Sequence, residues 1–321
     1  MDKNAFKGLF GANEEINSYN KVPTDAYTIA EDRDKDGVVS IKDTSNGRNT
    51  YYYIFAWKEN NNVYWWTDAD VAYLPQDSSY MLSGANIKNF DFTGLDVTKI
   101  TKINNFFEKV NNLENVEFGK MFYLDKTTNT TSMFFQCPDL VEADLTGLNF
   151  SGKNISNMYQ GCPKLETADI SGMDFTNSTL SNMFDGCTGL TSVNMSGANL
   201  YNTKLSGMFK GCSSLETANL AGLNLYNTSL SGLFNGCVEL KTVDISGNNF
   251  NGANLSKLFY GCAELNSANI SGSVFSNADI SNMFYGCAAL ANIDLSNADL
   301  ENSNLSSMFE GCTGLTSVNM S

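Results

Sequence analysis

Leu190-Thr-Ser-Val193-Asn-Met195-Ser-Gly-Ala198-Asn-Leu200-Tyr-Asn-Thr-Lys-Leu205-Ser-Gly-Met208-Phe209-Lys-Gly-Cys212 is one copy of a unit that begins again at Leu215. Further copies start at Leu140, Leu165, Leu240, Leu265, Leu290 and Leu315, and degenerate ones open at Ile87 and Leu113. The chain's eight cysteines, Cys137, Cys162, Cys187, Cys212, Cys237, Cys262, Cys287 and Cys312, are a single position of this unit recurring every 25 residues. Self-similarity at a fixed period of this length marks a solenoid, in which each unit contacts only its neighbours and a continuous core runs through the stack.

Within one unit the apolar pattern changes period. Leu190, Val193 and Met195, with Asn194 polar between the last two, alternate as a short strand with one buried face does. Leu205, Met208, Phe209 and Cys212 then fall at i, i+3, i+4 and i+7, the spacing of a helix stripe, and Gly211 stands where a helix C-cap is wanted. Between the two, one column holds only Gly or Asn: Gly152, Asn177, Asn202, Asn227, Gly252, Asn277 and Asn302. These two residue types share a tolerance of positive φ, so the column predicts a left-handed turn in every coil. The reading is an α/β solenoid whose coils each contribute a short strand, a turn and a short helix. Its strands form a parallel ladder spaced about 4.8 Å apart, so ten coils give a sheet roughly 45 Å long.

These residues carry a resemblance. The strand signature around Leu190 to Leu200, followed by Met-Phe-x-Gly-Cys, resembles the BspA-like leucine-rich-repeat surface proteins, whose bacterial surface protein repeat is about 26 residues long. Trp65-Trp66-Thr-Asp68-Ala-Asp70-Val-Ala-Tyr73-Leu-Pro75 is similar to the lead-in of that family. The match departs in period and lacks the family's Asp-Thr-Ser-x-Val turn. The resemblance implies a leucine-rich-repeat horseshoe, surface exposure, adhesion to a protein or glycan of a host or cell surface, and no enzymatic activity. A rival fold is an all-β helix of pentapeptide repeats, suggested by Ile293-Asp-Leu-Ser-Asn, Ala298-Asp-Leu-Glu-Asn and Ser303-Asn-Leu-Ser-Ser. Against it, Met208-Phe-Lys-Gly-Cys212 sets Lys210 where an inward residue belongs. The strand-plus-helix coil is therefore the expectation.

Composition narrows function. The chain of 321 residues has no histidine, so a Ser/His/Asp relay, a Cys/His nucleophile pair, a His-ligated zinc and a His general base each lose their central residue. With 35 acidic against 20 basic side chains the net charge is −15, and no basic patch offers a footprint for nucleic acid. No apolar run reaches the roughly 18 residues of a membrane helix, and Met1 to Gly11 lacks the apolar region of a signal peptide. The cysteines, 25 residues apart, cannot form the local pairs of a strong metal site and read as stacked core thiols.

Three groups remain as candidate sites. The first is the outward strand face, with Asp144, Asp169, Asn194, Asn219, Asp244, Asn269 and Asp294 in one row and Thr167, Ser192, Thr217, Thr242 and Ser267 in the next. Such an array of hydroxyl, carboxamide and carboxylate groups can grip a glycan or a protein edge, or simply keep the sheet solvated; it lacks the aromatics and Arg of a strong protein hot spot. The second is Asp32-Arg-Asp34-Lys-Asp36-Gly37-Val-Val-Ser40-Ile-Lys-Asp43, whose oxygens at Asp32, Asp34, Asp36, Ser40 and Asp43 match a calcium loop, the one cofactor the sequence offers. Its flanks alternate like strands, so an acidic hairpin turn explains it equally. The third is the cluster of Trp57, Trp65 and Trp66 with Tyr51, Tyr52, Tyr53 and Tyr64, split into two strands at Asn60 to Asn62 and expected to cap the first coil.

The expected organisation is a β-rich cap and attachment domain over residues 1–78 and a solenoid over residues 79–321. Because Ser321 lies within a predicted strand, the solenoid is expected to continue or to be covered by another chain at that end. The expected function is non-catalytic recognition on an exposed surface of a cell or virus particle. Its alternative is a virion fibre or decoration protein anchored through residues 1–78.

Overall fold

A computed structural model of the chain describes residues 74–320 apart from 94, 119–125, 128, 143–144, 146–147, 221–222, 224 and 226, together with the strand backbone within residues 18–73. The chain forms a parallel β-solenoid of about nine turns of about 25 residues. Toward the N-terminus, β1 (Ser18–Lys21), β2 (Val38–Asp43), β3 (Thr50–Glu59) and β4 (Asn62–Thr67) form a sheet in the order β1-β4-β3-β2. Strands β3 and β4 are an antiparallel hairpin with Trp57 opposite Tyr64, the two strands that the aromatic stretch predicts.

Coil-to-coil pairing begins with β5 (Ala72–Tyr73), which pairs in parallel with β7 (Leu95–Asp96); β6 (Asn89–Asp91) pairs with β8 (Asn115–Glu117). The regular coils then place one three-residue strand each at the same point: β9 (Thr167–Asp169), β10 (Ser192–Asn194), β11 (Thr217–Asn219), β12 (Thr242–Asp244), β13 (Ser267–Asn269), β14 (Asn292–Asp294) and β15 (Ser317–Asn319). The register is constant, with Thr217, Thr242, Ser267, Asn292 and Ser317 facing one another in turn.

The predicted short helix is absent: no helix occurs among the described residues. Leu205 to Cys212 instead makes a tight turn bracketed by left-handed residues, Gly207 at φ 64° and Gly211 at φ 69°, with Asn182 and Gly186 doing the same one coil earlier. A helix needs an uninterrupted run of right-handed residues, and two left-handed ones four apart forbid it. The turn nevertheless delivers Leu205, Met208, Phe209 and Cys212 to the core, so the stripe spacing that suggested a helix is kept without one. Lys210 is exposed, as the objection to the all-β rival noticed. The chain resolves it by passing the inward role one residue earlier, to Phe209. The helix-bearing coil of a leucine-rich-repeat horseshoe is thus corrected to an all-β coil. Packed helices stand about 8–10 Å apart and strands about 4.8 Å, the mismatch that bends a horseshoe. Here backbone bonds such as Phe184 N–H to Met208 O at 2.8 Å join coils on the turn side as well.

Four left-handed residues recur per coil, at Gly172, Asn177, Asn182 and Gly186 and again at Gly197, Asn202, Gly207 and Gly211. The Gly/Asn column is left-handed throughout, from Gly152 at φ 69° to Asn302 at φ 54°. In a second column, which runs through Asn182, Gly207, Gly232, Lys257 and Asn282, the largest misfit is Lys257, which holds φ 59° with a full side chain. Its Nζ lies 5.9 Å from the Tyr260 ring centroid. Relief of about 1 kcal/mol of left-handed strain outweighs an exposed cation–π contact of about 0.5 kcal/mol. Lys257→Asn is therefore expected to raise the unfolding free energy by roughly 0.5 kcal/mol, read by urea denaturation.

The interior is a set of columns. Nine rings, Phe107, Phe134, Tyr159, Phe184, Phe209, Phe234, Phe259, Phe284 and Phe309, stack in sequence with centroids 5.1 to 5.8 Å apart and interplanar angles of 2 to 17°. Beside them runs the thiol column. Cys237 Sγ donates to Phe209 O at 3.1 Å, Cys262 Sγ to Phe234 O at 3.2 Å and Cys287 Sγ to Phe259 O at 3.1 Å, each reaching 28 residues back into the preceding coil. Buried hydroxyls repeat the device elsewhere in the coil: Ser178 Oγ to Phe150 O at 2.7 Å, Thr203 Oγ1 to Phe175 O at 2.9 Å and Thr228 Oγ1 to Leu200 O at 2.8 Å. Buried polar groups need partners, and for these thiols and hydroxyls the partner is the neighbouring coil's backbone.

Candidate binding face

The three-residue strands put one residue inward between two outward ones. In β9, Ala168 is buried while Thr167 and Asp169 are exposed, and β11 and β14 repeat the pattern. Period-two geometry thus sets two parallel rows on the outer face, one of Ser/Thr and one of Asp/Asn, spaced about 4.8 Å along the solenoid.

The rows differ in what they bond. Asp169 Oδ1 accepts from Ser171 N–H at 2.9 Å, Asn194 Oδ1 from Ser196 Oγ at 2.8 Å, Asp244 Oδ1 from Ser246 N–H at 3.0 Å and Oγ at 2.7 Å, Asn269 Oδ1 from Ser271 Oγ at 2.8 Å, and Asp294 Oδ1 from Ser296 N–H at 2.8 Å. These are Asx-turns that close the corner after each strand. Neighbouring coils are tied as well, with Asn194 Nδ2 donating to Asp169 Oδ2 at 3.3 Å. Asn219 stands in the same row, and Asp144 lies outside the described residues. The Asp/Asn row is therefore built into the corners.

Hydroxyl and backbone N–H donation from Ser171, Ser246 and Ser296 holds Asp169, Asp244 and Asp294 below the usual carboxylate range. A lowered folded-state pKa contributes stability above the unfolded-state value, lost as pH falls through the folded-state value. Asparagine presents the same Oδ1, so Asp169→Asn, Asp244→Asn and Asp294→Asn together are expected to leave neutral-pH stability unchanged. They should also flatten the loss of stability on the acid side; thermal melts from neutral to acid pH read both effects.

The Ser/Thr row is not consumed. The hydroxyls of Thr167, Ser192, Thr217, Thr242 and Ser267 are exposed and make no hydrogen bond to the protein among the described residues. At the far end, Ser317 Oγ donates to Asn292 Oδ1. The flank beyond the row is acidic at Glu166 and Glu216, and Lys241 Nζ lies 3.0 Å from Glu216 Oε2.

The other candidates fall differently. Asp32, Asp34 and Asp36 of the acidic loop lie outside the described residues, while Ser40 and Asp43 lie on β2, opposite Tyr53 and Thr50. Trp57, Trp65 and Trp66 are placed by backbone only, on the β3–β4 hairpin. The cysteines are all free thiols; seven are buried and Cys312 is partly so, the core role that their spacing predicts. Sequence reading missed a shallow cleft of about 540 Å³ lined by Leu148, Asn149, Asp169, Ser171, Gly172, Met173 and Asp174, at the corner next to β9. It also missed the Tyr260–Tyr285 pair on the turn side, stacked at 4.7 Å. Neither carries a local sequence signal, because each arises from residues one coil apart.

Fold and face together define a parallel β-solenoid repeat protein with one hydroxyl row open to solvent. The model of the family described as "Mycoplasma protein of unknown function, DUF285" matches residues 76–197 and 203–320, and the chain belongs to that family. No curated protein matches the chain. Among solved structures it is similar to a trypsin-treated form of QnrB1, a plasmid-mediated fluoroquinolone resistance protein, at 17% identity and a TM-score of 0.15, covering 54% of this chain and 84% of that one.

Proposed function

We propose that this protein is a non-catalytic recognition scaffold that displays its strand face on an exposed surface and binds a protein or glycan there. The observation that carries the reading is the division of labour between the two outward rows. The Asp/Asn row is spent on corner turns, whereas the hydroxyls of Thr167 and Ser192, paired on β9 and β10, and of Thr217, Thr242 and Ser267, in register on β11 to β13, are spent on nothing internal. The buried hydroxyls of Ser178, Thr203 and Thr228 find backbone acceptors in the neighbouring coil, so the fold is able to satisfy such groups where burial demands it. A row that is regular, exposed and without an internal partner is suited to meet an external one.

The experiment is a comparison of the wild-type chain with the Thr217→Ala, Thr242→Ala and Ser267→Ala triple variant on a glycan array, on intact cells and against a cell-surface extract. The reading expects at least one bound component, lost or weakened in the triple variant while circular dichroism and melting temperature stay unchanged. Binding to none of these, or binding indifferent to the triple variant, would overturn it.

A further inference from the structure

We infer that the junction between β10 and β11 is a hinge. The block of coils that ends in β10 and the block that begins with β11 tilt about their shared turn side, and the strand face opens and closes between Ser192 and Thr217. The inference concerns the motion of that face and stands whether or not the face binds a partner.

Three observations mark the strand side of this junction as slack. The ladder joins β9 to β10 and runs on from β11 to β15, yet no ladder pair links β10 to β11 among the described residues. Val193, the inward residue of β10, is only half-buried, whereas Ala168, Ala218, Val243, Ala268 and Ile293 at the same point of their coils are buried. Just before the strands, Glu216 N–H reaches Thr191 O at 3.4 Å; the same bond measures 3.0 Å from Thr191 to Glu166, 2.9 Å from Lys241 to Glu216 and 3.0 Å from Asn266 to Lys241. The sequence supplies a cause. Ser196, Ser246 and Ser271 each donate Oγ to the Asn or Asp two residues earlier and so close the corner. Ala221, which follows Asn219 at that spacing, has no hydroxyl to give.

The turn side of the same junction is intact. Leu205 N–H bonds to Ser229 O at 2.8 Å, Gly207 N–H to Ser231 O at 3.0 Å, Phe209 N–H to Leu233 O at 2.9 Å and Gly211 N–H to Asn235 O at 2.8 Å. Phe209 and Phe234 stack at 5.5 Å, and Cys237 Sγ donates to Phe209 O. Two stacked coils that are tied along one side and untied along another keep one easy motion, rotation about the tied side. Coils couple only to their neighbours, so a slack junction moves without loosening the junctions beyond it. The motion changes the angle between the Thr167 and Ser192 hydroxyls on one block and those of Thr217, Thr242 and Ser267 on the other.

The test is hydrogen exchange of the full chain at neutral pH, read by mass spectrometry. The fastest amides of β10 and β11 are expected to exchange about tenfold faster than the fastest of β12 and β13, while Leu205 to Gly211 on the turn side stays as protected as Leu230 to Gly236. Ala221→Ser supplies the missing corner hydroxyl and is expected to slow the β10 and β11 amides severalfold, with β12 to β14 unchanged. Three results would each overturn the inference. The first is equal exchange across β10 to β13. The second is exchange of Leu205 to Gly211 as fast as that of β10 and β11, because the coil then unfolds as a whole instead of hinging. The third is an Ala221→Ser chain whose β10 and β11 amides exchange as in the wild type.

Discussion

Phe209→Ala lowers the unfolding free energy by about 3–5 kcal/mol, measured by urea denaturation against the wild-type chain. The ring is fully buried and sandwiched between Phe184 and Phe234, each 5.5 Å away and within 7° of parallel. Removal loses the transfer free energy of the ring and leaves a cavity that neighbours in a regular stack cannot fill, because each is held by its own coil's turn. Two stacking contacts of about 0.5–1.5 kcal/mol each vanish with it. The effect is also non-local. A solenoid's stability is a sum of coil terms and nearest-neighbour interfaces, so loss at the centre of the column uncouples the coils on either side. Hydrogen exchange in the variant should therefore speed up in the coils holding Phe184 and Phe234 first. The same substitution at Phe309 should cost less, since that ring is only partly buried and stacks on Phe284 on one side.

The second large effect concerns the thiols. Burial pushes Cys137, Cys237 and Cys287 up to about 12, only partly offset by backbone hydrogen bonds, and it raises Cys162, Cys187, Cys212 and Cys262 as well. The thiolate is the reactive form, so at pH about 8 a thiol at about 12 presents about a thousandth of the thiolate of one at the ordinary value of 9.0. Burial denies reagent access in addition. Titration of the native protein with a disulfide reagent is expected to label Cys312 first, the thiol that is only partly buried. The other seven should follow at the rate of unfolding, and all eight should react at once in denaturant. Rapid labelling of several thiols in the native chain would contradict the thiol column.

Much of this architecture is written in the residues themselves. The cysteine period set the coil length, the Leu, Met and Phe positions named the core, and the Gly/Asn alternation at Asn177 and Asn202 marked a left-handed corner that the backbone does adopt. The helix was misread for a physical reason. Leu205, Met208, Phe209 and Cys212 have the spacing of a helix stripe, and a tight turn can send the same four inward, so spacing alone does not separate them. A discriminating signal was present in two other columns. Asn182, Gly207, Gly232 and Asn282 in one, and Gly186, Gly211, Gly236 and Gly286 in the other, place two left-handed-tolerant residues four apart around the Met-Phe or Leu-Phe pairs of four coils. The two outward rows were legible as rows but not as unequal ones. Thr242 and Asp244 look alike in a strand pattern, and only the corner geometry reveals that Asp244 is committed to Ser246.

The bond that reaches 28 residues back has an architectural meaning. Cys262 finds Phe234, and Ser273 finds Ile245, at the same offset. Every coil thus offers its successor the docking template its predecessor offered it. A whole coil, such as Leu215 to Glu239, can be excised or copied and the new junction meets the same donors and acceptors in the same places, whereas loss of a single residue displaces every column beyond it. The cross-section is rigidly inherited while the length is free, so a lineage can lengthen or shorten the molecule in whole steps, as one adds links to a chain, without reinventing its interior.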